Sequence, residues 1–343
     1  FFSLGVRDSG PNATNGGNDD ITDTNHPAAR VHFDFAGEKL AGDNDTVGLS
    51  LGDPNEPQIG AQNVAVDINV GPTSNGIETL NVVSAETTSD TYDNSLNDTF
   101  AADGNASTMN VIGDGGLKAR LAPNFEVFDA GSDPANRAGG PQHITFVNAA
   151  TMVVHGGSKG DTFNILNGPA DGEAHDIDTY GGDDVVTVQG SAGMAQGDRV
   201  TLGEGDDTFQ GKDGDYAIDG EAGDDKLYLG FGAEGRPSFE GDHNVDSGTG
   251  NDQVWLGAGV SNVTTAGGSD IVKGAGSASS AYTIFTGDGA DTVELGDGNH
   301  NVTTGAGGDT VIAGDGNHDV TTGGGGDTVE LGDGDSSVTT GDG

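Results

Sequence analysis

From Gly287 to Gly343 the chain is written in nine-residue units: GDGADTVEL, GDGNHNVTT, GAGGDTVIA, GDGNHDVTT, GGGGDTVEL, GDGDSSVTT and the start of another, GDG. A period this short leaves few folds open, because one unit cannot bury an apolar face alone and must stack on its neighbours. Within a unit a glycine-rich loop such as Gly287-Asp288-Gly289-Ala290-Asp291 runs into β-branched residues such as Thr292-Val293. Glycine permits turns with φ > 0, valine and threonine favour extended backbone, and one apolar residue per unit is expected to point inward. The units alternate in kind: Asp291, Asp309 and Asp327 end every second loop, and His300, His318 and Ser336 end the loops between. The true period is therefore eighteen, two nonapeptides making one turn of a flattened helix.

The register extends backward. Loop-ending aspartates fall at Asp161, Asp184, Asp207, Asp225, Asp252, Asp270, Asp291, Asp309 and Asp327, separated by 23, 23, 18, 27, 18, 21, 18 and 18 residues, so departures from eighteen read as loop insertions. Two residues after each stands an apolar residue: Phe163, Val186, Phe209, Leu227, Val254, Val272, Val293, Val311 and Val329. Two residues before each stands a glycine, with Lys159 the one exception. The intervening half-coils keep an inward residue too, from Ile177 and Val200 to Val320 and Val338, but their loops end in His175, Asp198, Tyr216, His243, Ser261, Tyr282, His300, His318 and Ser336.

From Phe1 to about Ala150 the repeat is faint. Apolar pairs with one residue between them (Leu80 and Val82, Met109 and Val111, Phe125 and Val127, Ile144 and Phe146, Met152 and Val154) read as strands burying one face, joined by loops rich in Gly, Asn, Asp and Pro. No helix pattern is present. The expected organisation is an irregular β-solenoid over residues 1–150, with long loops such as 85–97 and 129–142, followed by a regular one over 151–343.

These repeats resemble the RTX calcium-binding nonapeptide, GGxGxDxUx with U a large apolar residue. The resemblance implies an all-β, right-handed parallel β-solenoid ending in an RTX β-roll. It also implies several Ca2+ ions held at the turns by Asp161, Asp184, Asp207, Asp225, Asp252, Asp270, Asp291, Asp309 and Asp327. The stretch Gly76-Ile77-Glu78-Thr79-Leu80-Asn81-Val82-Val83 further resembles strands of RTX-type bacterial surface-layer proteins. On that likeness the expected role is a calcium-dependent structural subunit of an extracellular bacterial cell coat, exported by type I secretion. It would self-associate into a lattice or filament through calcium, with a cell-surface polysaccharide as anchor. Two other roles use the same repeats: the stalk of an RTX adhesin or filament, and the calcium-triggered folding and secretion domain of a secreted hydrolase or toxin.

The charge agrees with a cation partner. Only 12 Lys and Arg face 56 Asp and Glu, a net charge of −44, which excludes the basic footprint that nucleic acid requires. From Gly274 to Gly343 there are twelve acidic residues and no Lys or Arg, so no side-chain cation is available to neutralise them locally. Low hydrophobicity with high charge is also a signature of disorder, and the fixed period with its regularly placed valines argues for order once cations are bound. The absence of cysteine leaves disulfides out, and weak oxygen-ligand sites fill where calcium is abundant, outside the cell. No eighteen-residue apolar run offers a transmembrane segment. The chain opens mid-pattern at Phe1-Phe2 and closes inside a repeat, and reads as a piece of a longer protein.

Catalytic motifs fare poorly, and the chain is expected not to be an enzyme. Gly156-Gly157-Ser158-Lys159-Gly160 matches a nucleophile elbow in form but coincides with the repeat loop ending at Asp161, and Gly230 to Gly235 matches a dinucleotide fingerprint with no helix to follow. There is no HExxH. His300 and His318, eighteen apart, are expected to stack on the surface as structural caps of their loops, because zinc needs three or four converging ligands and the next coil offers Ser336. The calcium ladder is accordingly expected on one edge only.

Overall fold

A computed structural model describes residues 2–6, 30–35, 46–51, 65–70, 79–84, 94–96, 108–113, 115–121, 127–131, 138–147, 152–166, 175–189, 194–212, 214–230 and 241–343. They belong to two compact units, Phe1–Asn164 and Ile165–Gly343. Among the described residues all regular structure is parallel β-strand, stacked as a β-solenoid, and there is no helix, hence none long and apolar enough to cross a membrane.

In the second unit each coil gives one strand to each of two sheets. One sheet, the aspartate face, holds the strands that follow the repeat aspartates: Val185–Gln189, Thr208–Gly211, Lys226–Leu229, Gln253–Leu256, Ile271–Gly274, Thr292–Leu295, Thr310–Ala313 and Thr328–Leu331. The other, the histidine face, runs from His175–Asp178 through Val260–Thr264, Ala281–Gly287, Asn301–Thr304 and Asp319–Thr321 to Ser337–Thr339. The expected inward residues meet coil on coil: Val186 pairs with Phe209, Phe209 with Leu227, Leu227 with Val254, Val254 with Val272, Val272 with Val293, Val293 with Val311 and Val311 with Val329. All but Val329 are fully buried. On the histidine face the column from Ile177 to Val320 is buried in the same way, and Val338, in the last coil, is 46% exposed. Each such side chain contributes roughly 1.5–3 kcal/mol of burial.

The core is deeper than one residue per strand. Strands of the aspartate face bury a second apolar residue, as Val188, Leu229, Leu256 and Leu295 do beside Val186, Leu227, Val254 and Val293. Strands of the histidine face bury a hydroxyl instead, as Thr265, Thr286, Thr304 and Thr322 do beside Val263, Ile284, Val302 and Val320. The interior of one coil is thus Asp291, Val293 and Leu295 on one side and His300, Val302 and Thr304 on the other, every second residue as a pleated strand requires. Each hydroxyl stands five residues before the next aspartate, so both occupy the same inner corner.

The first unit repeats the plan with less regular loops. Strands Phe2–Val6, Thr46–Leu51, Thr79–Ser84, Thr108–Ile112, Val127–Asp129 and Met152–His155 form one parallel sheet, while Asn94–Leu96, Leu117–Leu121 and Gln142–Val147 pair in another. Four of the five expected apolar pairs are buried as read. The fifth is corrected: Phe125 lies outside the described residues, and in Val127–Asp129 the inward side chain is Phe128, because it pairs with Met109 below and Val154 above. A slip of one residue exchanges the faces of a strand. Phe128 packs against Phe146 and Phe163 with centroids 6.1 and 5.8 Å away. Of the expected long loops, residues 85–93 and 132–137 lie outside the described residues.

Candidate metal centre

The repeat aspartates are buried, and those of the second unit form a column. Asp161, Asp184, Asp207, Asp225, Asp252, Asp270, Asp291 and Asp309 are at most 1% exposed, and Asp327 is half-buried. From Asp207 to Asp327 one oxygen of each carboxyl is tied to the preceding coil. Asp207 Oδ1 accepts the N–H of Asp184 at 2.7 Å, Asp225 that of Asp207 at 2.9 Å, Asp252 that of Asp225 at 3.0 Å and Asp270 that of Asp252 at 2.9 Å. Asp291, Asp309 and Asp327 continue the series at 2.9, 3.0 and 3.1 Å. A backbone N–H that the turn would otherwise orphan is thereby satisfied by a side chain one coil away. In the first unit Asp161 closes its own loop, Oδ1 accepting the N–H of Gln142 and Oδ2 that of Gly157, both at 2.6 Å. The Gly156–Gly160 segment is therefore a repeat loop, with Ser158 and Lys159 exposed.

The second oxygens divide into classes. Oδ2 of Asp207, Asp225 and Asp309 is buried with no hydrogen-bond partner. Oδ2 of Asp252 accepts the hydroxyl of Ser247, and that of Asp270 the hydroxyl of Thr265, each at 2.6 Å. These two hydroxyls were not anticipated from sequence, although the position five residues before each aspartate was visible in the same register.

Packing carboxyls in such a column has an electrostatic cost. Burial pushes Asp207 up to about 7, Asp225 up to about 8 and Asp270 up to about 6, with neighbouring aspartates adding to each rise against the backbone hydrogen bonds that lower it. Asp252 and Asp291 are also raised by burial, and Asp161 reaches about 7. Protonation relieves this cost, and so does a cation.

The donor set suits a hard cation: all oxygen, partly orphaned and at the ends of glycine turns. Among the described residues no three His, Cys, Asp or Glu side chains converge on one point, so an ion here would combine one or two carboxylates with backbone carbonyls. The glycine loops of successive coils lie close upon one another. Gly307, at φ +157°, lies so near the carbonyl of Gly289 that a Cβ would overlap its oxygen, and Gly289, at φ +156°, stands in the same relation to Gly268.

The opposite edge uses the same device with neutral side chains. Tyr282 N–H donates to His300 Nδ1 at 3.3 Å, His318 N–H to Ser336 Oγ at 3.1 Å and His243 N–H to Ser261 Oγ at 3.3 Å. The rings stack as expected, Tyr282 on His300 at 4.8 Å and His300 on His318 at 5.2 Å. They are not on the surface, however: His300, His318 and His243 are each 2% exposed, because their position lies in the inward phase of the strand that follows. Burial lowers His300 below the usual imidazole value and His243 to about 4. Asp297, Asp315 and Asp333 stand outside them as an exposed rank, Asp297 Oδ1 accepting the N–H of Asp315 and Asp315 Oδ1 that of Asp333. No family model, curated protein or solved structure matches this chain.

Proposed function

We propose that the chain is a calcium-dependent structural solenoid of an extracellular bacterial coat, with the aspartate column as its ion-binding edge. The observation that carries the reading is the run of buried carboxyls, with orphaned Oδ2 atoms at Asp207, Asp225 and Asp309, in a chain with no Lys or Arg after Lys273. Asp184, Asp207, Asp225, Asp252, Asp270, Asp291, Asp309 and Asp327 would hold the ions with loop carbonyls in the second unit, and Asp161 would do so at the end of its own loop in the first. A bound divalent cation would supply the positive charge that the column lacks. The chain's own part is to present oxygen at a fixed interval, hold one oxygen of each carboxyl by a backbone N–H, and keep side chains out of the turn by means of glycine.

A coat role is supported by the second, outward set of acids. Asp183, Asp206 and Asp224 beside the column and Asp297, Asp315 and Asp333 on the far edge are exposed, where an ion can bridge two molecules. Self-association through calcium, secretion by the type I route and anchoring on a surface polysaccharide belong to the same proposal. Light scattering and circular dichroism across a calcium titration test it: β-structure should be followed by sheets or filaments. A monodisperse folded monomer at millimolar calcium would favour a folding and export domain over a coat subunit.

A further inference from the structure

We propose that Ser247 and Thr265 are positioning residues that set the order in which the coils take up a cation, holding Asp252 and Asp270 back while Asp207 and Asp225 load first. The inference rests on the calcium reading above and deepens it. The carboxyls of the column are not equivalent. The position five residues before an aspartate faces the same inner corner, and four consecutive coils fill it with Leu202, Gly220, Ser247 and Thr265. Leu202 and Gly220 carry no hydroxyl, and Oδ2 of Asp207 and Asp225 has no partner. At Gly220 a Cβ would stand 2.5 Å from Asp225 Oδ2, so the missing side chain is what leaves that oxygen its space. Ser247 and Thr265 donate to Asp252 and Asp270 at 2.6 Å, and Thr265 also reaches the carbonyl of Thr286 at 3.2 Å.

The consequence is competitive. A carboxylate bonded through both oxygens surrenders a charge-assisted hydrogen bond when it turns to a cation, whereas an orphaned oxygen of an ionised carboxylate has no such bond to surrender. Such bonds are strong enough to shift an equilibrium by roughly tenfold or more. Asp252 and Asp270 should therefore half-saturate at roughly tenfold higher ion concentration than Asp207 and Asp225.

Trp255 lies among restrained and unrestrained coils. It is the only tryptophan, on Gln253–Leu256, the strand that leaves Asp252 and pairs with the strands leaving Asp225 and Asp270, so emission sensitised through it should rise in two steps, the earlier from Asp225 and the later from Asp252 and Asp270. Terbium, a calcium-sized oxygen-seeking ion, would be titrated into the full chain with emission sensitised through Trp255. Thr265→Val and Ser247→Ala should each lower the half-saturation concentration of the later step roughly tenfold, and Thr265→Ser should leave it as in the unaltered chain. Ser247→Ala removes a single oxygen, which keeps the test open if the valine variant folds poorly. A half-saturation that stays put or rises overturns the proposal, and a rise is what loss of a merely structural contact would give. If the unaltered chain is folded and binds no terbium at millimolar concentration, the calcium reading itself falls.

Discussion

Raising the pH of the metal-free protein should unfold the regular solenoid, with the loss centred between pH 6 and 8. In the unfolded chain these carboxyls ionise near 3.8, whereas in the folded column Asp270 holds its proton to about 6, Asp207 to about 7 and Asp225 to about 8. Between those limits the folded state binds more protons than the unfolded state, so stability falls as pH rises. At about 1.36 kcal/mol per unit, the shifts correspond to about 3, 4 and 6 kcal/mol respectively. Solvent at the loop ends screens the charges and reduces the total to about half, roughly 6 kcal/mol. That is comparable with the ~5–15 kcal/mol that holds a typical domain together. Circular dichroism in chelator should therefore show β-structure at pH 5 and coil at pH 8, while calcium should preserve the fold at both. Asp225→Asn keeps an oxygen for the Asp207 N–H and cannot ionise, so it should move the midpoint to higher pH. A metal-free β spectrum indifferent to pH from 5 to 8 would refute the reasoning.

Asp309→Ala should lower calcium stoichiometry and, by orphaning the N–H of Asp291, cost about 1–3 kcal/mol, whereas His318→Ala should destabilise its stack with stoichiometry unchanged; calorimetric titration reads both. Gly307→Ala, which places a Cβ on the Gly289 carbonyl, should abolish the calcium-induced β signal of the coils around it, as read by hydrogen exchange. Val254→Ala should cost about 2–3 kcal/mol in urea denaturation with calcium present, and Val338→Ala, at an exposed position, less than about 0.5 kcal/mol.

The period of eighteen was enough to determine the solenoid, because a repeat that must stack fixes which residues meet: Val254 could only lie between Leu227 and Val272, and it does. Where loops vary in length that argument weakens, and the Phe125 and Val127 reading failed by one residue for want of a neighbour to set its phase. The sequence also located the aspartate column, since Asp and the apolar residue two places on share the inward phase of one strand. What it did not reveal was where each oxygen goes. Whether a carboxyl on that column is satisfied, orphaned or held by a hydroxyl depends on the corner where two strands of one coil meet, across a turn that sequence spacing does not orient. For the same reason the histidines, assigned by their type to the surface, are inside: a ring at the loop end takes the phase of the strand it begins, and only the folded coil shows that this phase points inward.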